Sequence, residues 1–402
     1  MSTLPTTENK RGVLALVVAH CAGMIDLIGL PVWVGSLISQ YKFDPQQAGG
    51  LVTLFLIGAS VASLFFAPRF TRTNQKVAAV SGFFIATVAF ALSSHNTAFP
   101  ILAVLHFIGG LSAGTALSFT HGTIGHAANP HRTFAYAGLA LGIFGIIFLG
   151  ATPNIVAKFG GPSLFYTFVV IMGIATLMTL LFFPKPTRHI AADDAEEGKV
   201  LPPLGRAVWL LIIATGILSM AQAMTLSFFE RVGMERGFGL QLVTGALIIY
   251  GICAVFPAPI AAILEKRIPA TAVISTMPIL QAICSVTAMT TTNYVAYAIS
   301  GGLMAFTIIF VHTYAFGLMA RLDPTGRAVA GTPAMLMIGS AIAPFIGGTL
   351  VKFSGFTAIG IAVTVLVIIQ LLLYNSARKI VLRTQFAENV TQANEFATGH
   401  AR

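Results

Sequence analysis

One carboxyl group lies inside a long apolar stretch, where it could take part in proton chemistry. Asp26 is the only acidic residue deep within any of the long apolar runs of this chain. An unpaired carboxylate surrounded by lipid is costly, so such residues are rare and are usually functional. We predict that Asp26 binds and releases a coupling proton. The alternative is a structural acid that stays protonated or paired.

A histidine at a similar depth is the candidate partner of this carboxyl. Asp26 lies 15 residues beyond Arg11, about 22 Å along a helix, and His106 lies 8 residues beyond Ala98, about 12 Å from the opposite end. In a hydrocarbon core about 30 Å thick, the two depths agree within the uncertainty of the helix ends. Imidazole titrates near neutral pH, so the sequence predicts an Asp26–His106 proton relay. The alternative is that His106 bonds to a backbone carbonyl and packs.

Other polar and aromatic side chains within the apolar runs are expected to line a solute cavity. Gln222 is almost level with Asp26 and could hydrogen-bond a solute, although packing between helices is an equal alternative. For the aromatic rings of Trp33 and Tyr250, core packing is the commoner role. For His20 a structural role is favoured, because the sequence does not show which way its side chain points. The expected cavity residues are His20, Trp33, Gln222, Tyr250 and Gln281.

Three more polar residues are expected near the ends of their apolar runs. Glu230 and Arg231 follow directly on the seventh run. We interpret them as a water-exposed pair or as an outer gate. His121 is interpreted as interfacial.

Composition excludes a soluble domain. The 402 residues are 56% hydrophobic and only 9% charged, with a mean hydropathy of +0.86. A soluble domain carries about 25% charged residues. The net charge of +10 comes from basic residues in short gaps between apolar runs, which indicates topology signals and no nucleic-acid partner. The three cysteines lie inside apolar runs and predict neither a disulfide framework nor a metal site.

Twelve apolar runs are long enough to cross a bilayer, which requires about 20 residues each. Continuous runs of this length indicate helices, because backbone groups in lipid must pair within the segment. The predicted spans are 12–39, 47–67, 77–94, 98–121, 133–152, 162–183, 207–229, 239–264, 269–289, 293–319, 328–351 and 354–375.

The distribution of basic residues predicts which side each loop faces. With twelve spans both termini share one side, and 18 of the 23 Lys and Arg residues fall on that side against 5 on the other. Cytoplasmic loops are enriched in Lys and Arg, so both termini are predicted to be cytoplasmic.

The longest polar gap divides the chain into two weakly similar halves. Gly109-Gly110 in span four matches Gly301-Gly302 in span ten, at a separation close to that of other matched positions. Repeated halves are typical of transporters, whose solute site lies between them. The predicted organisation is an N-terminus at 1–11, a six-helix bundle at 12–183, a linker at 184–206, a second six-helix bundle at 207–375 and a tail at 376–402.

Two motifs resemble those of a known family. Residues 67–72 resemble its loop of small residue, Asp, Arg, any residue, Gly and Arg, with Pro68 and Thr71 replacing the Asp and Gly. Residues 339–348 are similar to the Gly-Pro-x-x-Gly-Gly element of its antiporter-like members, which usually marks span five. With the twelve spans and the linker, the whole chain resembles the major facilitator superfamily, in its drug:proton antiporter-like and sugar-efflux-like branches.

This resemblance implies roles for further residues. The fold is expected to be an all-α polytopic membrane protein, with twelve transmembrane helices in two six-helix pseudo-repeat bundles. Arg69 and Arg72 would form an inner-gate loop, spans one and four would line the cavity, and His106 stands where the family has an arginine. Small residues allow close helix packing and proline bends helices. Such roles are expected for Gly109, Gly110, Gly138, Gly142, Gly339, Pro344, Gly347 and Gly348.

The sequence predicts a secondary active transporter of a small organic solute, driven by a proton gradient without a cofactor. The absence of Lys and Arg deep in any span argues against a strongly anionic solute and favours export of a neutral, weakly cationic or amphipathic compound. A proton-coupled or facilitative importer of a small organic nutrient is the alternative, and a transporter-like sensor without flux is a further one. No hydrolase, zinc-protease or phosphate-loop motif points to an enzyme. We expect a multi-pass protein of the cell inner (plasma) membrane that contacts lipid, protons and solute and functions as a monomer.

Overall fold

Apolar helices that cross the molecule make up almost all of the protein. The computed structural model describes residues 9–127, 129–185, 203–323, 328 and 332–399. Twelve helical segments in this part of the chain are long and apolar enough to span a membrane, which confirms the predicted count. Most of the predicted linker at 184–206 lies outside the described residues, as do the ends of the predicted N-terminus and tail.

The first half contains six membrane helices, of which the first is broken into three pieces. A short 3₁₀ helix, Ala67–Arg72, joins the second to the third. The helices are α1a (Lys10–Gly23), α1b (Ile25–Ile28), α1c (Leu30–Ser39), α2 (Pro45–Phe66), α3 (Gln75–Ser94), α4 (Phe99–Gly125), α5 (Pro130–Phe159) and α6 (Pro162–Phe182).

The second half also contains six membrane helices, and here the eighth and eleventh helices of the chain are broken. They are α7 (Arg206–Glu235), α8a (Gly239–Val255), α8b (Pro257–Leu264), α9 (Ala270–Thr290), α10 (Tyr294–Leu322), α11a (Thr332–Ala341), α11b (Ala343–Ser354) and α12 (Thr357–Gly399).

Proline accounts for the broken helices. Pro31, Pro257 and Pro344 each stand in the first two residues of the piece that follows a break. Proline lacks a backbone N–H and its ring clashes with the carbonyl four residues earlier, so the preceding turn is interrupted. The first helix has an additional break at Met24, one residue before α1b.

Asparagine side chains begin several helices at the position expected for a cap. Asn74 accepts a hydrogen bond from the N–H of Val77 at the start of α3, and Asn293 accepts one from Ala296 at the start of α10. These bonds satisfy N–H groups that have no partner within the helix. The asparagine caps therefore fix where these helices begin, whatever the hydropathy of the residues that follow.

The two halves repeat one packing arrangement. In the first half α3 packs on α4 and α6, and α2 packs on α4. In the second half α9 packs on α10 and α12, and α8a packs on α10. Each contact recurs six helices later, which agrees with the predicted six-helix pseudo-repeat.

Within the described residues, the main helix contacts between the halves are those of α1c with α7, α2 with α11, and α5 with α8a. We call this boundary the seam. The face that carries the loop between α1c and α2 is called the distal face, and the face that carries the start of α1 is the proximal face. The prediction that the distal face is outside the cell remains a prediction.

The seam is closed at the distal face by backbone contact and polar bonds. Gly348 touches the backbone of Pro45, and Gly49 touches that of Pro344. Lys352 Nζ lies 3.0 Å from Asp44 Oδ2 at the distal end. Burial alone would raise the pKa of the Asp44 carboxyl, but the Gln47 backbone N–H and the Lys352 ammonium together hold it below its ordinary value.

Several helices extend beyond their predicted ends. The prediction ended span five before Pro153, but α5 continues through this proline to Phe159. Neighbouring helices tolerate proline inside a membrane helix. The prediction ended span seven at residue 229, but α7 continues to Glu235, and α12 continues to Gly399. Hydropathy marks the apolar part of a helix, whereas the backbone hydrogen bonds continue into its polar ends.

Candidate functional site

A cavity of about 320 Å³ lies between the two halves. Its walls come from six helical segments: α1, α5, α7, α8a, α10 and α11a. No Asp, Glu, Lys or Arg is among its lining residues within the described part of the chain. Its volume is at the low end of the range for small-molecule sites, so the cavity suits a small uncharged or weakly charged compound.

The two halves contribute chemically different walls. The first half supplies apolar side chains and glycines, including Met24, Leu27 and Leu141. The polar groups of the cavity come from the second half and are Ser219, Gln222, Tyr250, His312 and Ser340. A bound solute would therefore meet hydrogen-bonding groups on one side only.

The polar wall is organised as a chain of hydrogen bonds. The Gln281 side-chain amide donates to Gln222 Oε1 (3.3 Å), and the Gln222 amide donates to the Tyr250 hydroxyl oxygen (3.0 Å). Because Tyr250 accepts this bond, its own hydrogen is available to a solute. Beside this chain, Ser219 Oγ lies 3.3 Å from His312 Nε2. Of the five expected cavity residues, Gln222 and Tyr250 line the cavity and Gln281 lies behind Gln222.

Trp33 lies in the core of the first half and does not line the cavity. Its ring is fully buried and packs against Phe55, Phe90 and Phe168 at centroid distances of 4.6–5.7 Å. The Trp33 indole N–H donates to His106 Nε2 (3.3 Å). Aromatic packing thus fixes the position of the tryptophan.

His106 is committed to neighbours of its own. Its Nδ1 lies 2.7 Å from the carbonyl oxygen of Leu102, so this nitrogen carries the proton, and its Nε2 accepts from Trp33. A neutral imidazole ring satisfies both contacts. His106 and Asp26 do not form a pair in this structure.

Asp26 lies in the single turn α1b, between the breaks at Met24 and Gly29. It is 2% exposed, and its Oδ1 accepts a bond from the backbone N–H of Leu27 (2.9 Å). Within the described residues, no Lys, Arg or His lies at ion-pair distance from it. Met24 and Leu27 line the cavity, and Asp26 is not among its lining residues. The buried carboxyl thus belongs to a residue that lies between two residues of the apolar wall in the sequence.

His20 pairs with a histidine on another helix. Its Nδ1 lies 2.8 Å from Nε2 of His121, and the two ring centroids are 5.1 Å apart. This pair joins α1a to α4 on the proximal side of Asp26 and lies outside the cavity lining. His121 was expected to be interfacial. In the structure it lies between helices, in contact with His20 and with the ring of Phe134 on α5.

The expected inner-gate arginines act locally or face outwards. Arg69 donates to the carbonyl oxygen of Phe65 (2.7 Å) and lies over the Phe65 ring. Arg72 is exposed at the end of the 3₁₀ helix. Neither shows a bond across the seam within the described residues.

The expected packing glycines occupy different surroundings. Gly110 touches the backbone of Phe55 on α2, and Gly339 touches that of Gly216 on α7. Gly347 and Gly348 face α7 and α2, respectively, and Gly142 faces Val255 across the seam. Gly109 has ordinary contacts with Phe55 and Ala89, and Gly138 borders open space in the cavity. Pro344 begins α11b.

Sequence reasoning missed the position of Glu230. It was expected in a water-exposed pair or outer gate with Arg231, but Arg231 pairs with Glu235 at 2.7 Å instead. Glu230 Oε2 is buried and has no hydrogen-bond partner among the described residues. The apolar Val232, which follows inside α7 and is fully buried, was the available signal that the buried surface continues past residue 229.

Metal binding finds no support in the described residues. They contain no group of three or more His, Cys, Asp or Glu side chains that could hold a metal ion. Cys21, Cys253 and Cys284 are free.

Comparison with known proteins adds a family match and distant relatives. The family model described as "Major Facilitator Superfamily" matches residues 15–332. "Multidrug resistance protein MdtL" of Shigella dysenteriae serotype 1 is 29% identical over 237 residues, and that of Escherichia coli O139:H28 is 30% identical. Each match covers 56% of this chain, and the chain spans only 59% of the length of these curated relatives.

Solved structures share the fold at low identity. A bacterial homologue of the human lysosomal transporter Spinster has a TM-score of 0.72 at 14% identity and covers 91% of this chain and 96% of its own. The D-xylose-proton symporter gives the same values. The nucleoside transporter NupG has a TM-score of 0.71 at 12% identity and covers 91% of this chain and 99% of its own. At these identities the likeness concerns the fold alone.

Proposed function

Because the chain belongs to the Major Facilitator Superfamily, we propose that it exports a small neutral, weakly cationic or amphipathic organic compound in exchange for protons. The family establishes a multi-pass membrane transporter rather than an enzyme. The observation that carries the finer proposal is the cavity at the seam, which has no charged lining residue and polar groups from the second half only.

The cavity chemistry supports the proposed solute class. A strongly anionic solute would require a cation in a site that excludes water, and the described lining has no Lys or Arg. An amphipathic compound can place its apolar body against Leu27 and Leu141 and a hydrogen-bond acceptor near the Tyr250 hydroxyl. The relatives named as multidrug resistance proteins favour export over uptake.

Asp26 is the proposed coupling site for protons. Its carboxyl is nearly sealed and has no cation at ion-pair distance in the described structure, so a charge there is tolerated only when the surroundings change. It lies in the turn between two breaks of α1, directly beside residues of the cavity wall. A movement of α1 can therefore alter solute contacts and carboxyl surroundings together. His106 would have to leave Trp33 before exchanging a proton with Asp26.

The test uses purified protein in proteoliposomes with an imposed pH gradient. A panel of neutral, weakly cationic and anionic compounds is offered, and both compound flux and proton flux are recorded. We expect flux of uncharged or weakly cationic members coupled to an opposing proton flux, with coupling lost in Asp26→Asn. Glu235→Gln, which alters an exposed ion pair, is the matched control.

Three outcomes would contradict the proposal. Transport of anionic compounds alone would contradict the proposed solute class. Full proton coupling in Asp26→Asn would remove this carboxyl from the mechanism. Solute movement in the same direction as the proton would instead favour an importer.

A further inference from the structure

Glu230 lies at the seam, where α7 of the second half meets α1c of the first. A Cβ placed on Gly35 of α1c would come within 2.6 Å of the Glu230 carboxyl carbon and 3.3 Å of Oε1. The carboxyl group therefore fills the space left by the missing side chain of Gly35. This contact joins the two halves and lies in the distal part of α7, about one and a half turns before its end at Glu235.

The basic residues nearest the carboxyl in sequence bond to other groups. The nearest basic residue in sequence, Arg231, donates to Glu235 through both Nε and Nη2. Arg236 donates to the carbonyl oxygen of Met289 (3.1 Å). Within the described residues, no Lys, Arg or His lies at ion-pair distance from Glu230.

The helices packed against α7 supply no cation that pairs with Glu230 in place of Arg231 and Arg236. Leu30–Ser39 on α1c and Thr332–Ala341 on α11a contain no ionisable residue. On the other helices packed against α7, each ionisable group is bound to another residue, lies far in sequence from the distal end of its helix, or is only weakly acidic. On α10, Tyr297 interacts with Glu230 but donates its hydroxyl to the Phe229 carbonyl oxygen. The remaining groups are Lys352 on α11b, bound to Asp44, Tyr250 on α8a, bound to Gln222, Cys253, Cys284, Tyr294, His312, Tyr314, Arg321, Tyr374 and the ionisable residues beyond it on α12.

We propose that Glu230 is a second proton-binding site, and that a proton must be bound there before the distal face can close. An anionic carboxylate whose Oε2 is buried without a donor is strongly unfavourable, whereas the protonated acid is tolerated. When α1c moves away from α7, water reaches the carboxyl and the anion is stable. The proton therefore binds more tightly to the closed state, and by reciprocity it favours closure.

Glu230 lies close to the cavity and is not fully enclosed. The Glu230 residue as a whole keeps partial exposure although Oε2 is sealed. One turn earlier on α7, Leu226 lines the cavity. Glu230 thus lies at the distal end of the cavity wall, separate from Asp26 on α1b. This inference rests on the proposed exchange of protons. It concerns opening at the distal face and is separate from the coupling step at Asp26.

The test measures distal opening directly. Leu226→Cys is introduced into a background in which Cys21, Cys253 and Cys284 are replaced by serine, and a membrane-impermeant maleimide is added at the distal face. The labelling rate is normalised at each pH to that of the unfolded protein. With one linked proton, the open-to-closed ratio should rise by at most about tenfold per pH unit as pH increases.

Glu230→Gln, which imitates the protonated acid, should give low labelling that no longer depends on pH. Glu235→Gln should behave like the parent protein because it alters an exposed ion pair that does not include Glu230. Gly35→Ala should raise labelling at every pH, since its Cβ occupies the carboxyl site. Unchanged pH dependence in Glu230→Gln would overturn the proposal.

Infrared difference spectroscopy after a pH jump provides a second measurement that does not depend on transport. We expect a protonated-carboxyl C=O band that is absent in Glu230→Gln and present in Glu235→Gln. A band unaffected by Glu230→Gln would overturn the assignment. Asp26→Asn should abolish coupled flux but retain pH-dependent opening, so failure of the proposed function and failure of the Glu230 site are distinguishable.

Discussion

Replacing Gly348 with alanine should weaken closure of the distal face. A Cβ at this position would lie 2.7 Å from the Pro45 carbonyl carbon and 2.9 Å from the Gln46 Cα. Carbon atoms in contact are normally about 3.5–4.0 Å apart, so α2 and α11b must separate by about 1 Å. Both opposing atoms belong to the backbone, so no change of rotamer relieves the overlap.

The expected magnitude follows from the cost of overpacking. Extra methyl groups in a well-packed contact cost about 1–3 kcal/mol. This cost applies to the closed state and is relieved when the two helices part. The open-to-closed ratio should therefore increase about 5-fold to 150-fold.

The measurement is distal maleimide labelling of Leu226→Cys, a cavity residue, in the background without native cysteines. Gly317→Ala is the control, because nothing lies within 4 Å of a Cβ built there. Labelling should increase in Gly348→Ala and remain at the parent rate in Gly317→Ala. Equal labelling in two folded variants would refute the view that this backbone contact limits opening.

Three further predictions concern separate parts of the molecule. The Gln47 N–H and the Lys352 ammonium lower the Asp44 pKa in the closed state, so the Lys352–Asp44 pair favours closure above the ordinary carboxyl pKa of about 4 and loses its effect as pH falls through the lowered pKa. Distal labelling should then rise modestly, by an amount equivalent to less than about 1 kcal/mol, and Lys352→Gln should abolish that rise. Trp33→Phe should lower the thermal unfolding midpoint, at a cost of about 1–3 kcal/mol, and leave the transport KM unchanged; a raised KM with unaltered stability would contradict its place in the core. Tyr250→Phe should raise KM about 5-fold through loss of a hydrogen bond worth about 1 kcal/mol, whereas Tyr41→Phe, outside the cavity, should not; equal KM values in the two variants would exclude Tyr250 from solute binding.

Hydropathy and repeat signals were sufficient to predict the fold. Each membrane helix must hide its own backbone polar groups in about 20 apolar residues, so the twelve spans are visible in a single sequence. Gly110 and its match Gly302 face α2 and α8a, respectively, as the repeated packing of α2 on α4 and of α8a on α10 requires. These properties depend on composition along the chain and require no knowledge of side-chain direction.

The site was less predictable because depth does not determine which way a side chain points. Asp26 and His106 were placed at similar depths, yet His106 is directed towards Trp33 and Leu102. Glu230 was assigned to a water-exposed end because charge usually ends an apolar run. Its burial depends on Gly35, which lies 195 residues earlier and leaves room for the carboxyl only after the halves have assembled.

The three-part first helix has a consequence for motion within the molecule. Its initial piece, α1a, packs on α5 and α6 of the first half, whereas α1c packs chiefly on α7 of the second. The first membrane helix is thus anchored to both halves, so a rotation between them would bend it at Met24 or Gly29. Asp26 lies between those two breaks, so bending of the helix at either one would change the surroundings of this carboxyl.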